Sequence, residues 1–271
     1  MPRLRTVYAW ELRKLLAQKR TFLGLGIAVL VPVVFAVALL VQQGQPEDVA
    51  FGRYVRQSGL AIPPVLLIFG SIWLFPLIAA LVAGDIVAAE DNNGTLKTIL
   101  TRSTDRSRIF VAKALAASTY AAVALALMGA VALVAGVAVS GFNPLVTLSG
   151  TTVSASKGLE LIAFSLLVYM MPLLGIVAIA LLLSVLTHNS AAAVVGALMI
   201  SLILQLVTIL PGLGALQPYL LTTQFNAWQG FLRTPIDYAP VVRAAWVCAL
   251  YAVPCVAVAF TSFVRRDVTG G

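Results

Sequence analysis

The chain has 271 residues, 61% of them hydrophobic and 10% charged, with a mean hydropathy of +0.99 and a net charge of +8. Soluble domains carry about 25% charged residues, and no water-soluble fold of this length hides so much apolar surface, so a soluble enzyme is excluded and lipid is the expected solvent. The Lys and Arg residues sit in short stretches beside apolar runs, with no interleaved base-stacking aromatics, which argues against nucleic-acid binding.

In chain order, the first element is Arg3 to Arg20, RLRTVYAWELRKLLAQKR. Leu4, Val7, Tyr8, Leu12, Leu15 and Leu16 share one broad helical face, with Arg5 and Glu11 intruding on it. This predicts an N-terminal amphipathic helix lying on the inner membrane surface. The stretch is too polar for a cleavable signal peptide.

A spanning helix needs about 20 apolar residues. Six runs qualify: Phe22–Val41, Ile62–Ala83, Ala114–Val139, Leu159–Leu186, Ala191–Leu210 and Ala244–Val264. None has a charge in its middle, and Glu160 stands at an interface. Only the polar turn Thr187, His188, Asn189, Ser190 separates the fourth run from the fifth. Pro32, Pro76, Pro172 and Pro254 lie inside runs and predict kinks, which membrane helices tolerate. Ala132, Gly136 and Ser140 form a small-residue ridge, as do Ala192 and Gly196, and such ridges let helices approach closely. Gln205 inside the fifth run calls for a hydrogen-bond partner and could line a pathway. Cys248 and Cys255 stand seven residues apart on one helix, too far for a disulfide.

Between the second and third runs lies Gly84 to Lys113, GDIVAAEDNNGTLKTILTRSTDRSRIFVAK. It opens with Asp85, Glu90 and Asp91, breaks at Asn92, Asn93 and Gly94, continues as a short amphipathic stretch Thr95–Leu100, and offers Thr104 or Asp105 to cap the next helix. This helix–break–helix pattern is longer than a connector needs and suggests a docking surface for a soluble partner. Before the last run, Pro211 to Pro240 is apolar and aromatic (Tyr219, Phe225, Trp228, Phe231) yet rich in Pro and Gly. Two short re-entrant or interfacial helices suit it, either as a plain interfacial loop or as an outer lid for an amphiphilic cargo.

With the N-terminus inside, thirteen Lys and Arg fall on inner segments and five on outer ones. The positive-inside rule therefore predicts both termini in the cytoplasm, with the chain in the cell membrane and in contact with its lipids. The connecting segments are too short for a soluble domain, so residues 1–271 form a single all-α, polytopic membrane domain.

Catalytic patterns are missing from the sequence. His188 is the lone histidine. No His/Cys/Asp/Glu cluster has metal-ligand spacing, and none of Lys14, Lys19, Lys97, Lys113 or Lys157 stands in a phosphate-binding Gly-x-x-x-x-Gly-Lys-Ser/Thr frame. No catalytic, metal or cofactor site is predicted on this chain.

Glu90 through Lys113 resembles the signature loop of the permeases of ABC type 2 exporters, with Glu90, Gly94, Thr95, Leu96, Leu100, Arg106 and Lys113 matching. Ser103 stands where the family often has Pro. Trp10 to Leu16, WELRKLL, is similar to the family's opening helix, and Pro218 to Leu232 to its outer segment before the last span. The resemblance implies six transmembrane helices, a cytoplasmic coupling helix between spans 2 and 3, and an outer re-entrant segment before span 6. It implies a separate ATPase subunit that binds ATP and Mg, and a second permease subunit in a homodimer or heterodimer. The ATPase interface it implies comprises Trp10, Glu11, Arg13, Lys14, Glu90, Gly94, Thr95, Lys97, Thr98, Arg102, Arg106 and Arg108, with Thr187 and His188 as a smaller contact. Gln205, Tyr219, Phe225 and Trp228 are the residues expected at a pathway or outer gate. A free-standing secondary transporter and a membrane scaffold are the alternative classes.

Overall fold

The computed structural model describes residues 3–41, 49–94, 105–208, 210 and 212–266. The fold is all-α, with one two-residue antiparallel ladder between β1 (Leu145–Val146) and β2 (Thr152–Val153). Its helices are α1 (Leu4–Leu16), α2 (Lys19–Val41), α3 (Ile62–Gly70), α4 (Leu74–Ala83), α5 (Ala88–Asn92), α6 (Arg106–Ser140), α7 (Ala155–Thr187), α8 (Ser190–Val207) and α9 (Ala239–Val264).

Five of these, α2, α6, α7, α8 and α9, are long and apolar enough to cross a membrane. Their outward faces carry Phe22, Leu30, Val34, Val134, Leu167, Ile203 and Leu250, all exposed. Such faces are a solvent match in lipid and a liability in water. The protein is therefore a membrane protein. α7 is the centre of the bundle: 61% of its most apolar stretch is buried, against 17–33% for the other four.

The run Ile62–Ala83, expected as one helix, is broken. α3 and α4 meet at Ser71–Trp73 with a bend of 63°. Pro76 explains the position: it has no N–H for the Ile72 carbonyl, and its ring crowds that carbonyl. Side-chain hydroxyls bind the last carbonyls of α3. Ser71 Oγ donates to Ile68 O at 2.7 Å, and the buried Tyr169 hydroxyl of α7 donates to Leu67 O at 3.1 Å.

Several helices outrun their apolar cores. α6 starts at Arg106 rather than Ala114, because Asp105 caps it by accepting from Ser107 N–H at 3.1 Å. Thr104, the other candidate cap, lies outside the described residues. α7 starts at Ala155 with Ser154 as its cap, and α8 is capped by Asn189, whose Oδ1 accepts from Ala192 N–H at 3.1 Å. α8 ends at Val207, short of the expected Leu210.

The ridge Ala132, Gly136, Ser140 works as a packing surface. A Cβ on Gly59 would fall 2.3 Å from the Gly136 backbone, and Ser140 Oγ donates to Val55 O at 2.5 Å. On the other ridge, Gly196 faces Leu183 of α7, while Ala192 is exposed. Cys248 and Cys255 are free thiols.

The segment before α9 forms short 3-10 turns, Gln217–Tyr219 and Thr222–Leu232. The longer one packs on α7 and α9. Phe225 and Trp228 are wholly buried in it. Phe225 stands 4.9 Å from Tyr169, which stands 5.1 Å from Phe75 of α4, and Trp228 lies 6.3 Å from Phe51.

Candidate functional site

α1, α5, the start of α6, the α7–α8 turn and the last turn of α9 converge at one end of the bundle, where both described chain ends lie. The convergence is held by charge. α1 lies along α6, and the Tyr8 hydroxyl and Thr119 Oγ1 are 2.7 Å apart. One turn further, Glu11 is only 4% exposed and Lys113 is fully buried.

Lys113 Nζ donates to Glu11 Oε2 at 3.0 Å, to Glu90 Oε1 at 2.7 Å and to Ile86 O at 3.1 Å. An ammonium has three donors, and all three are used. Lys14 Nζ closes the set, 2.9 Å from Glu11 Oε1 and 2.8 Å from Glu90 Oε1. Two carboxylates and two ammoniums make the junction neutral, which is what lets it be buried, since an unpaired buried charge is prohibitive. Burial pushes the Glu90 carboxyl up, but Lys113 and Lys14 outweigh it and hold the group below the usual carboxylate range. Burial pushes the Lys14 ammonium down, and Glu90 and Glu11 outweigh it and raise it.

α5 carries Glu90 and is anchored on its other sides as well. Ser184 Oγ of α7 accepts from Val87 N–H at 3.2 Å and Ala88 N–H at 3.0 Å, satisfying buried donors at the start of α5. Asp91 Oδ2 lies 2.5 Å from Arg266 Nη2 and 2.8 Å from His188 Nδ1. Just before α5, the buried Asp85 pairs with Arg20 and accepts from Ser190 Oγ. Arg106 Nη1 donates to Val264 O at 3.2 Å and Arg266 O at 2.6 Å, joining α6 to the end of α9. This five-residue helix thus meets α1, α6, α7, α8 and, through Arg266, the residues just after α9.

The expected interface residues separate into two groups. Glu11 and Glu90 turn inward, and Lys14 lies between them with its ammonium 5.0 Å above the Trp10 ring. Trp10 is 54% exposed, and Arg13, Gly94, Thr187 and His188 are also exposed. Arg106 and Arg108 are half-buried at the start of α6, Arg108 lying 3.9 Å from Asp105. Thr95, Lys97, Thr98 and Arg102, and with them the expected coupling helix, lie outside the described residues. Gly94, where α5 runs out, has a φ of +68°, a conformation glycine adopts without strain.

At the opposite end, Tyr219 is exposed and 5.8 Å from Trp246, while Phe225 and Trp228 are core residues. Gln205 is half-buried, with no hydrogen bond to its side-chain amide among the described residues. Sequence reasoning named Glu11 and Asp85 but did not pair them with Lys113, Arg20 and Ser190, and it gave no site role to Ser184 or Arg266.

A family model described as "Protein of unknown function (DUF2705)" matches residues 27–269. The chain belongs to that family. The match takes in Glu90, Asp91, Lys113, Ser184, His188 and Arg266, and begins after α1, so Glu11 and Lys14 reach into the matched region from outside it. No curated protein matches the chain. Among the described residues, no group of three or more His, Cys, Asp or Glu side chains is placed to hold a metal ion.

Proposed function

We propose that the chain is the membrane-spanning permease subunit of an ATP-driven ABC type 2 exporter, crossing the cell membrane six times with both ends in the cytoplasm. The bent pair α3–α4 would be the second span, the other five being α2, α6, α7, α8 and α9. A separate ATPase subunit would bind ATP and Mg, and a second permease subunit would complete the transporter.

The observation that carries this reading is the junction of Glu11, Lys14, Glu90 and Lys113. It ties α5, which leads directly into residues 95–104, to α1 and to the long helix α6. A force applied to that segment or to the exposed face of α1 (Trp10, Arg13) would reach α6 through short charge-assisted bonds, which are directional. From α5 the same force reaches α7 through Ser184 and α9 through Arg266. Glu90 and Lys113, two residues of the ABC type 2 resemblance, are 2.7 Å apart. The stack Phe75–Tyr169–Phe225 supports an outer gate coupled to the bent second span. An amphiphilic cargo suits a bundle whose interior is mostly apolar.

The test is co-purification in mild detergent followed by transport in proteoliposomes. A P-loop ATPase is expected to accompany the chain, and transport is expected to stop without ATP. Transport that persists without ATP, from a chain that brings down no ATPase, would overturn the assignment.

A further inference from the structure

The end of the bundle opposite the junction carries a cleft between the 3-10 segment Thr222–Leu232 and the start of α9. Its volume is about 220 Å³. Drug-sized pockets run from about 300 to 1,000 Å³, so it suits a single small polar group. Thr223, Asn226, Gln229, Arg233 and Arg243 line it.

Three observations give the cleft a chemistry. First, Arg233, just after the 3-10 segment, and Arg243, on α9, both line it and are exposed, and neither has a carboxylate partner among the described residues. Asp237, the acidic residue between them in sequence, turns its Oδ1 to the Ala239 N–H at the start of α9. Second, Thr223 stands on the cleft wall with its Oγ1 closed off from the surface and without a hydrogen-bond partner among the described residues, and because a buried hydroxyl without a partner is costly, a turn of this side chain toward an acceptor in the cleft would relieve it. Third, the cleft opens beside an amphipathic boundary. Tyr219 and Trp246 pair at 5.8 Å, Tyr251 donates to Tyr219 O at 3.3 Å, and Tyr238 is exposed. Tyr and Trp mark headgroup depth. One helical face of α9 then continues away from the cleft as Val242, Trp246, Leu250 and Val253, all exposed.

We propose that this cleft binds the anionic headgroup of a membrane lipid, whose acyl chain lies along the exposed face of α9. Arg233 and Arg243 clamp the phosphate, since guanidinium groups match its geometry and remain charged. Thr223 donates its hydroxyl, and Asn226 and Gln229 supply further amide donors. The assignment rests on the chain lying in a membrane and not on the exporter reading, so it stands or falls by itself.

The test is native mass spectrometry of the full chain in detergent, titrated with phosphatidylglycerol or phosphatidylcholine. Phosphatidylglycerol is expected to bind roughly tenfold more tightly, because the choline of phosphatidylcholine sets a further cation against the two guanidinium groups while a glycerol does not. R233Q/R243Q should abolish that preference. R53Q/K157Q, which removes as much charge from the same end, should keep it. Thr223→Val, which keeps the shape of the wall, should weaken phosphatidylglycerol binding by roughly threefold, and it decides the matter alone if the arginine variant does not fold. Millimolar inorganic phosphate should not displace the lipid. Equal binding of the two lipids, an unchanged preference in R233Q/R243Q, undiminished phosphatidylglycerol binding in Thr223→Val, or an equal loss in R53Q/K157Q would overturn the proposal. Displacement by inorganic phosphate would make the cleft a free-anion site and overturn the lipid assignment.

Discussion

Lys113 Nζ and Glu11 Oε2 are 3.0 Å apart and 102 positions apart in sequence. They join α1 to the first turns of the 35-residue helix α6, in a place where neither side chain meets water. Removing one partner from such a pair leaves the other charge buried.

Lys113→Met is therefore expected to destabilise the protein by about 3–5 kcal/mol, the range for breaking a buried ion pair. The triple variant E11Q/E90Q/K113M should recover part of that loss, because no carboxylate is then stranded. Thermal unfolding in detergent measures both, and equal losses in the two proteins would show that the cost is not one of unpaired charge.

The stability contributed by the junction should fall on acidification. Glu90 is held below its ordinary value in the folded state, so the unfolded chain takes up a proton first as pH drops. The contribution is fully present above the ordinary carboxylate pKa and is lost as pH falls through the depressed value. Lys14 is raised, so its contribution is present below the ordinary lysine pKa and lost as pH rises through the raised one. Melting temperature against pH should thus show a plateau through neutrality with two falling limbs. Glu90→Gln should flatten the acid limb.

Ser184→Ala should cost about 1–3 kcal/mol, because two buried N–H groups, those of Val87 and Ala88, lose one acceptor. Its effect should concentrate on α5, readable as faster amide exchange at residues 87–92 with little change in α7.

Gly136→Ala should destabilise by about 1–3 kcal/mol through overpacking, since its Cβ would fall 2.4 Å from Gly59 O. Gly26→Ala in α2, where a Cβ meets nothing within 4 Å, should be neutral or slightly stabilising. Melting the two variants side by side checks this.

In the proposed exporter, Glu90→Gln should lower transport while the partner ATPase continues to hydrolyse ATP. Parallel transport and hydrolysis assays read the split. Transport and hydrolysis falling together would assign Glu90 to stability alone.

The sequence made the apolar helices legible because length and hydropathy alone decide them. It also exposed the Asp105 cap and the break after Asn92, both set by local chemistry. It could not show the junction. Glu11 read as a flaw in the apolar stripe of α1, yet that stripe faces α6, and Glu11 is the residue buried deepest in it along with Leu15. Leu4, Trp10 and Leu16 face outward. A charge whose partner lies 102 residues away leaves no trace in spacing or period. Pro76 did announce a distortion, but not its size of 63° nor the bond from Tyr169, 102 residues on, to Leu67 O beside it.

The contact between Gly59 and Gly136 has a mechanical consequence. Two backbones that meet with no room for a Cβ between them have little slack, so any swing of α6 would turn about this point. From Gly136 to Lys113 is 23 residues, a lever arm of about 35 Å at 1.5 Å per residue. A swing of about 3° around that point displaces the Lys113 end by about 2 Å, enough to open or remake the three bonds that Lys113 makes.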